Sequence, residues 1–256
     1  MNYNYHTHTA LCGHASGTME EYVLRAIECG VKYMGFSDHI PLKMSDGTES
    51  PHRVPTQKAE WYISEVRRLR EKYKDKIEIS IGFEAEYYPE YFDKAIENAT
   101  RLGAEYIILG QHFLSSDESI HSISPHSESS LLDEYISLVS AAIRSGKITY
   151  VAHPDMFNFV GDEAIYNEKI GKLCDLANEY GTPFEINLLG IRDGRCYPNE
   201  KFWKIVGKKQ VKVTFGFDAH DPKNAYDGDS IPLALELVKK FSLNYIGKPD
   251  LVYISK

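Results

Sequence analysis

From Tyr3 to Phe217 the chain repeats one unit, a short run rich in β-branched and aromatic residues followed by a stretch of helical period. Parallel strands need a long crossover between them, usually a helix, so this alternation predicts parallel strands covered by helices. Strands are expected near 3–8, 33–37, 77–83, 105–110, 148–152, 183–188 and 211–217, giving seven βα units. Thr18 and Glu21 are spaced as a capping box and Gly30 stands where a left-handed cap would, which frames a first helix of about 19–29. A second, about 56–74, sets Tyr62, Val66, Leu69 and Tyr73 on one apolar stripe. Pro89 can open a third helix, and Gly103, Gly146 and Gly181 follow the third, fourth and fifth. A helix of about 229–240 completes the seventh unit, and Leu251 to Ile254 are a candidate closing strand. The breaks at about 40–55 and 113–127 read as loops over a site.

No Gly-, Pro- or Ser-rich linker divides the 256 residues, so one α/β domain over 1–256 is expected. No apolar run approaches the 18 or so residues of a membrane span, and Met1 to Thr9 lack the basic and apolar regions of a secretion signal, which predicts a cytoplasmic protein without a membrane partner. A formal charge of −8 argues against a broad duplex-binding surface, though a few placed cations can hold one phosphate, so a small anionic substrate is expected rather than nucleic acid. Cys12, Cys29, Cys174 and Cys196 show no C-x-x-C spacing and read as free thiols.

Polar residues recur at every expected strand end: His6 and His8 with His14 beyond, Asp38-His39, Glu84 and Glu86, His112, His153 with Asp155, Glu185 with Asn187, and Asp218 with His220. In an α/β barrel that end carries the site. Side chains two apart on a strand share a face, so His6 and His8, Glu84 and Glu86, and Asp218 and His220 can each enter one mouth as pairs. Packing so many imidazoles and acids together without a cation is costly, and divalent metals supply the partner. Mixed N and O donors suit zinc, manganese or iron, and more than four ligands in one basin imply two or three ions.

These residues resemble the polymerase and histidinol phosphatase (PHP) superfamily and, within it, the histidinol-phosphate phosphatases. The resemblance runs through HTH at 6–8, CGH at 12–14, SDH at 37–39, GFE at 82–84, His112, AHP at 152–154 and GFDAH at 216–220. It implies a distorted (β/α)7 TIM-like barrel holding three ions on His6, His8, His14, His39, Glu84, His112, His153, Asp218 and His220, with Glu84 bridging two. It leaves open whether the neighbouring Glu86 joins them. The stretch from Glu185 to Arg192, followed by Tyr197-Pro198, is similar to the segment that sets the histidinol phosphatases apart, and implies that Arg192 grips the substrate phosphate.

The chemistry implied is in-line attack on phosphorus by a metal-bridging hydroxide. A guanidinium fork suits a phosphate, which makes Arg192 the first candidate at the substrate and Arg53 and Arg195 further ones. Asp218, His220 and Asp155 are each placed to give a proton to the leaving alcohol, with Asp155 also expected beside the substrate. Asp38 is expected to orient a liganding histidine through its second ring nitrogen.

The plain alternatives are hydrogen-bonding residues in a polar barrel mouth for the histidines, a packed core histidine for His112, and solvated loop arginines for Arg192, Arg53 and Arg195. His52, His121 and His126 read as loop residues over the mouth, and the tyrosines, scattered through strands and helices, as packing. The activity implied is hydrolysis of L-histidinol phosphate in histidine biosynthesis. The alternatives are another phosphate ester, such as a nucleotide, an oligonucleotide end or a phosphotyrosine peptide, and a non-catalytic metal module with an eroded site.

Overall fold

The computed structural model describes residues 1–254. Its strands form two parallel sheets. The first is β1 (Tyr3–Asn4), β2 (Tyr33–Phe36), β3 (Glu78–Ala85) and β4 (Tyr106–Leu109), in that order. The second is β5 (Phe184–Asn187), β6 (Lys212–Gly216) and β7 (Asn244–Tyr245). The helices are α1 (Met19–Glu28), α2 (Ala59–Tyr73), α3 (Phe92–Leu102), α4 (Ser129–Arg144), α5 (Glu163–Tyr180), α6 (Leu188–Asp193), α7 (Glu200–Lys209) and α8 (Ser230–Phe241). Among the described residues none of them is long and apolar enough to cross a membrane.

Local chemistry accounts for many of the ends. The capping box forms, with Glu21 N–H on Thr18 Oγ1 and Thr18 N–H on the Glu21 carboxylate. The α2 stripe of Tyr62, Val66, Leu69 and Tyr73 is buried against the sheet. Gly103 and Gly181 close α3 and α5 with positive φ, a conformation a side chain would strain. Pro89 does not open α3; it lies in the turn ahead of it, where Tyr91 N–H bonds back to Tyr88 O.

The expected strand at 148–152 is the main departure. Only Val151 makes ladder pairs, to Leu109 on one side and Phe184 on the other. The run still joins the two sheets, since Ala152 N–H donates to Leu109 O and Glu185 N–H to Val151 O. Its brevity has a local cause: Pro183 and Pro154 bring no N–H, and His153 turns the chain aside with φ of 32°. At the other seam Thr7 pairs with Ala219, but deeper down side chains replace backbone, with Phe217 N–H on Asn4 Oδ1 and Phe215 N–H on Tyr3 Oη. The architecture is thus a curled parallel sheet in two halves rather than an even seven-stranded ladder. The 251–254 segment adds no strand; Tyr253 makes one antiparallel bridge to Tyr106.

One large apolar cluster fills the space between sheet and helices, and a smaller one of Tyr3, Tyr5, Tyr106, Ile108, Tyr150 and Ala152 lies apart from it. Tyr106 donates its hydroxyl to Tyr5 O at 2.9 Å, and a Cβ at Gly35 or Gly82 would overlap the Tyr106 side chain. The tyrosines there are packing, floored beneath the polar carboxyl ends of the strands.

Candidate metal centre

The carboxyl ends of β1, β2, β3, β4, β5 and β6, with the 149–152 run, converge on one basin. Glu84, near the end of β3 and almost wholly buried, is its hub. Its carboxylate lies 3.0 Å from His153 Nε2, 3.4 Å from His8 Nε2, 3.4 Å from His39 Nδ1, 3.6 Å from His6 Nε2 and 3.7 Å from His112 Nε2. Asp218 faces it from beyond β6, 3.5 Å from His6 Nε2, 3.3 Å from His8 Nε2 and 3.2 Å from His220 Nδ1. His14 completes the group, its ring 4.8 Å from that of His220 and 5.3 Å from that of His39. All nine residues expected to be ligands therefore meet in one place.

Two of the nine are held in strained backbone: His153 has φ of 32° and Asp218 of 48°. Left-handed non-glycine residues cost about 1–3 kcal/mol each and persist where their surroundings enforce them, commonly at functional sites. The glycine at 110 is needed for a different reason, because a Cβ there would overlap the Glu84 carboxylate.

Several buried atoms at the centre have no hydrogen-bond partner: His6 Nε2, His8 Nε2, Glu84 Oε2 and Asp218 Oδ1. Buried polar groups are nearly always satisfied, so four orphans facing one another ask for a cation. The electrostatics agree. Burial alone would lower His6 and His8, yet Glu185, Asp218 and Glu84 around His6, and Asp218 and Asp38 beside His8, raise both well above the usual imidazole value. Burial would likewise raise Glu84 and Asp218, but the imidazoles of His112 and His6 hold the first, and of His6 and His220 the second, far below the carboxylate range. On the outer side, burial and the neighbouring His220 and His8 bring His14 down to about 4, and burial with His8 lowers His39 and His220 too. Neutral imidazole is the form that binds a metal. Triplets such as His8, His39 and His220, or His6, His153 and Asp218, bring donor atoms within 4.8 Å of one another, so the donor set fits divalent ions. The buried Cys12 thiol also comes within that range of His14 and His220.

The basin opens into a cavity of about 570 Å³. Its far wall carries Arg192 and Arg195, and the loops at 40–55 and 113–127 supply His52, Arg53, Glu118 and His121. His126 lies aside, stacked on Phe157. Arg192 donates to Asp227 Oδ2 at 2.6 Å and to the Asp218 carbonyl at 3.4 Å, which fixes its fork beside the basin. Arg195 donates to Tyr197 Oη at 3.0 Å.

Two expected substrate residues are placed differently. Arg53 lines the cavity, but it is buried in an ion pair with Glu86 and lies 3.6 Å from Glu118, so its charge is already answered. Asp155 does not line the cavity at all. Its Oδ2 accepts Asn199 N–H at 2.6 Å and Trp203 Nε1–H at 2.7 Å, anchoring the start of α7, and burial pushes its carboxyl up to about 7. Asp38 lies 3.4 Å from His8 Nδ1 and accepts from Thr9 N–H and Oγ1–H, while Glu86 lies 3.5 Å from His112 Nδ1. Both stand behind histidines of the expected ligand set.

The sequence sets Glu185 and Asn187 at a strand end but gives neither a role. Glu185 lies 2.8 Å from His6 Nδ1, and Asn187 donates to Asp218 Oδ2 at 3.0 Å. Its signals in the sequence are a carboxylate inside the otherwise apolar run Phe184–Ile186 and its place at a strand end, and neither says what it faces.

A model of the PHP domain matches residues 4–188. A probable histidinol-phosphatase of Deinococcus radiodurans is 26% identical over 228 residues, spanning 85% of this chain and 85% of that one. The histidinol-phosphatase of Bacillus subtilis is 26% identical over 248 residues, spanning 84% of this chain and 92% of that one. Among solved structures, histidinol phosphate phosphatase from Lactococcus lactis, complexed with zinc, L-histidinol and phosphate, gives a TM-score of 0.75 at 18% identity, covering 100% of this chain and 98% of that one.

Proposed function

The chain belongs to the PHP domain family, and from that premise we propose that it is a metal-dependent histidinol-phosphatase, hydrolysing L-histidinol phosphate to L-histidinol and inorganic phosphate. The observation that carries this reading is the set of orphaned donor atoms around Glu84 and Asp218, opposite a positioned arginine fork. The names of the Deinococcus radiodurans and Bacillus subtilis relatives support the substrate, as does the histidinol and phosphate complex of the Lactococcus lactis enzyme. We read 1–256 as one domain and its curled sheet as a distorted (β/α)7 barrel in which 149–152 takes one strand's place.

In this reading His6, His8, His14, His39, Glu84, His112, His153, Asp218 and His220 would hold two or three divalent ions, zinc, manganese or iron, with Glu84 as their central donor. When bound, such ions supply a water acidified toward neutrality and positive charge opposite the phosphoryl oxygens. Arg192, braced by Asp227, takes two oxygens of the phosphate in its fork, and Arg195 approaches from the same wall. Asp218 and His220, in contact at the cavity edge and both held in their unprotonated forms, would take the proton of the attacking water and pass it to the leaving alcohol; Asp155 lies away from the cavity. The two loops narrow the mouth and limit water around the ester.

The test is phosphate release from L-histidinol phosphate beside AMP, a dinucleotide and a phosphotyrosine peptide, with bound metal measured on the same preparation. We expect kcat/KM to favour L-histidinol phosphate by at least tenfold, or about 1.4 kcal/mol of transition-state binding, and chelation to abolish turnover. A smaller preference refutes the substrate, and full activity in metal-free protein refutes the centre.

A further inference from the structure

Glu185 sits fully buried in the basin wall and touches no cavity space. Two oxygens serve three neighbours: Oε1 lies 2.8 Å from His6 Nδ1, and Oε2 accepts His153 N–H at 3.1 Å and an Asn187 Nδ2–H at 2.9 Å. Asn187, two residues on along β5, also donates to Asp218 Oδ2 at 3.0 Å, and its Oδ1 accepts Gly190 N–H at 3.1 Å to cap α6. That short helix carries Arg192. The chain keeps room for this carboxylate, because a Cβ at Gly216 on the adjoining strand would overlap it.

A neutral imidazole has one nitrogen that donates and one that accepts. A carboxylate only accepts, so whichever nitrogen faces it must carry the proton. On His6 that is Nδ1, so Nε2, buried and unpartnered beside Glu84 and Asp218, is the nitrogen whose proton a bound metal would replace. We propose that Glu185 is the positioning residue of the centre: it fixes the His6 tautomer so that Nε2 is a metal donor, and it holds the His153 backbone and, through Asn187, Asp218 in one frame. This inference rests on the metal reading of the basin. Asp38 stands behind His8 at the longer distance of 3.4 Å and accepts His39 N–H at 2.8 Å, whereas the Glu185 carboxylate lies 2.8 Å from His6 Nδ1, accepts His153 N–H and reaches Asp218 through Asn187.

Glutamine has the shape of glutamate but one acceptor for the same three donors. If its amide nitrogen faces His6, the imidazole must accept at Nδ1 and carry its proton on Nε2, where it cannot ligate. If its oxygen faces His6, two donors are set against the amide group. Glu185→Gln therefore weakens the centre without removing volume.

The experiment titrates metal-free protein with zinc against a chromogenic chelator. If wild-type protein binds no zinc, the metal reading fails and this inference with it. If it binds, we expect Glu185→Gln to weaken one ion by about 10–100-fold, the range seen for partners of liganding histidines, with the others within about threefold. In a His6→Gln background the same change should cost clearly less than in the single variant, because only the holding of His153 and Asp218 is left to lose. Unchanged affinity in the single variant, or the full loss repeated in the double, overturns the assignment while leaving the metal reading intact. Nitrogen-15 spectra of zinc-loaded wild-type protein give a check independent of any variant: the His6 proton belongs on Nδ1, and a proton on Nε2 overturns the proposal.

Discussion

Arg192 and Arg53 are both arginines in expected loops, and although the resemblance puts Arg192 first, it is their surroundings that separate them. Arg53 is buried between Glu86 and Glu118 and is spent on joining the loops to β3, whereas Arg192, held by Asp227 and the Asp218 carbonyl with Asp193 3.9 Å away, is only part-buried where it lines the cavity. Arg192→Ala should lower kcat/KM for L-histidinol phosphate by about 10–100-fold, the loss of charge-assisted hydrogen bonds of about 1.5–3 kcal/mol. Arg192→Lys should recover little of it, since an ammonium has no fork, and wild-type kinetics in either variant would remove Arg192 from the phosphate site. Asp155 is the converse case. It shares the strand end with His153, which is why sequence sets it at the substrate, but its side chain turns to Asn199 and Trp203. Asp155→Ala strands those two donors and should cost about 1–3 kcal/mol in urea unfolding, with KM little changed. A raised KM at wild-type stability would return it to the pocket. The gathering of the histidines is legible in the sequence because imidazoles that recur at one strand end after another need a shared partner, and a cation is a partner that would accept them all. Glu185 is not, because a single buried acid in an apolar strand gives no sign of what it faces.

At the level of elements, the βα rhythm is readable because each helix carries an amphipathic stripe and a visible stop, as α1 does from Thr18 to Gly30. The region 188–209 is harder. It holds α6, which contains Gly190 and stops at Gly194, and α7, which follows Pro198, residues that read as loop; the helix starts are set by the caps Asn187 and Asn199. The weak strand at 149–152 and the unexpected β7 have one root, since both depend on which backbone groups find partners across the two seams, and that is a matter of register rather than local composition. The same crowding makes two strand-end glycines informative. Gly216 leaves space for Glu185 and Gly110 for Glu84, so Gly216→Ala should push the Glu185 carboxylate off His6. Its signature would be lower bound zinc per chain together with a loss of about 1–3 kcal/mol, as for other overpacked cores. Full zinc content at wild-type stability would mean that β5 and β6 yield more easily than their hydrogen bonding implies.

For the molecule as a whole, the basin lies where the two halves of the sheet meet, and its residues come from both. His6, His8, His39 and Glu84 belong to the first half, Asp218 and His220 follow β6 of the second, and His153 stands on the run between them. Near this level the backbone ties across the β1–β6 seam are few, His8 N–H to Ala219 O and Ala219 N–H to His6 O. An ion held by ligands from both halves would therefore act as a clamp on the fold as well as a reagent. Binding to the native state alone stabilises it by about 2.7 kcal/mol when free metal is 100 times the dissociation constant. For a chain of this size each kcal/mol is worth about 2–4 °C, so zinc at that excess should raise Tm by roughly 5–10 °C over chelator-treated protein. Amide exchange should slow most at the β1–β6 seam and least in the outer turns of α4 and α8, where no ligand lies. A Tm indifferent to zinc, or protection spread evenly over the chain, would mean that the two halves are locked by packing alone.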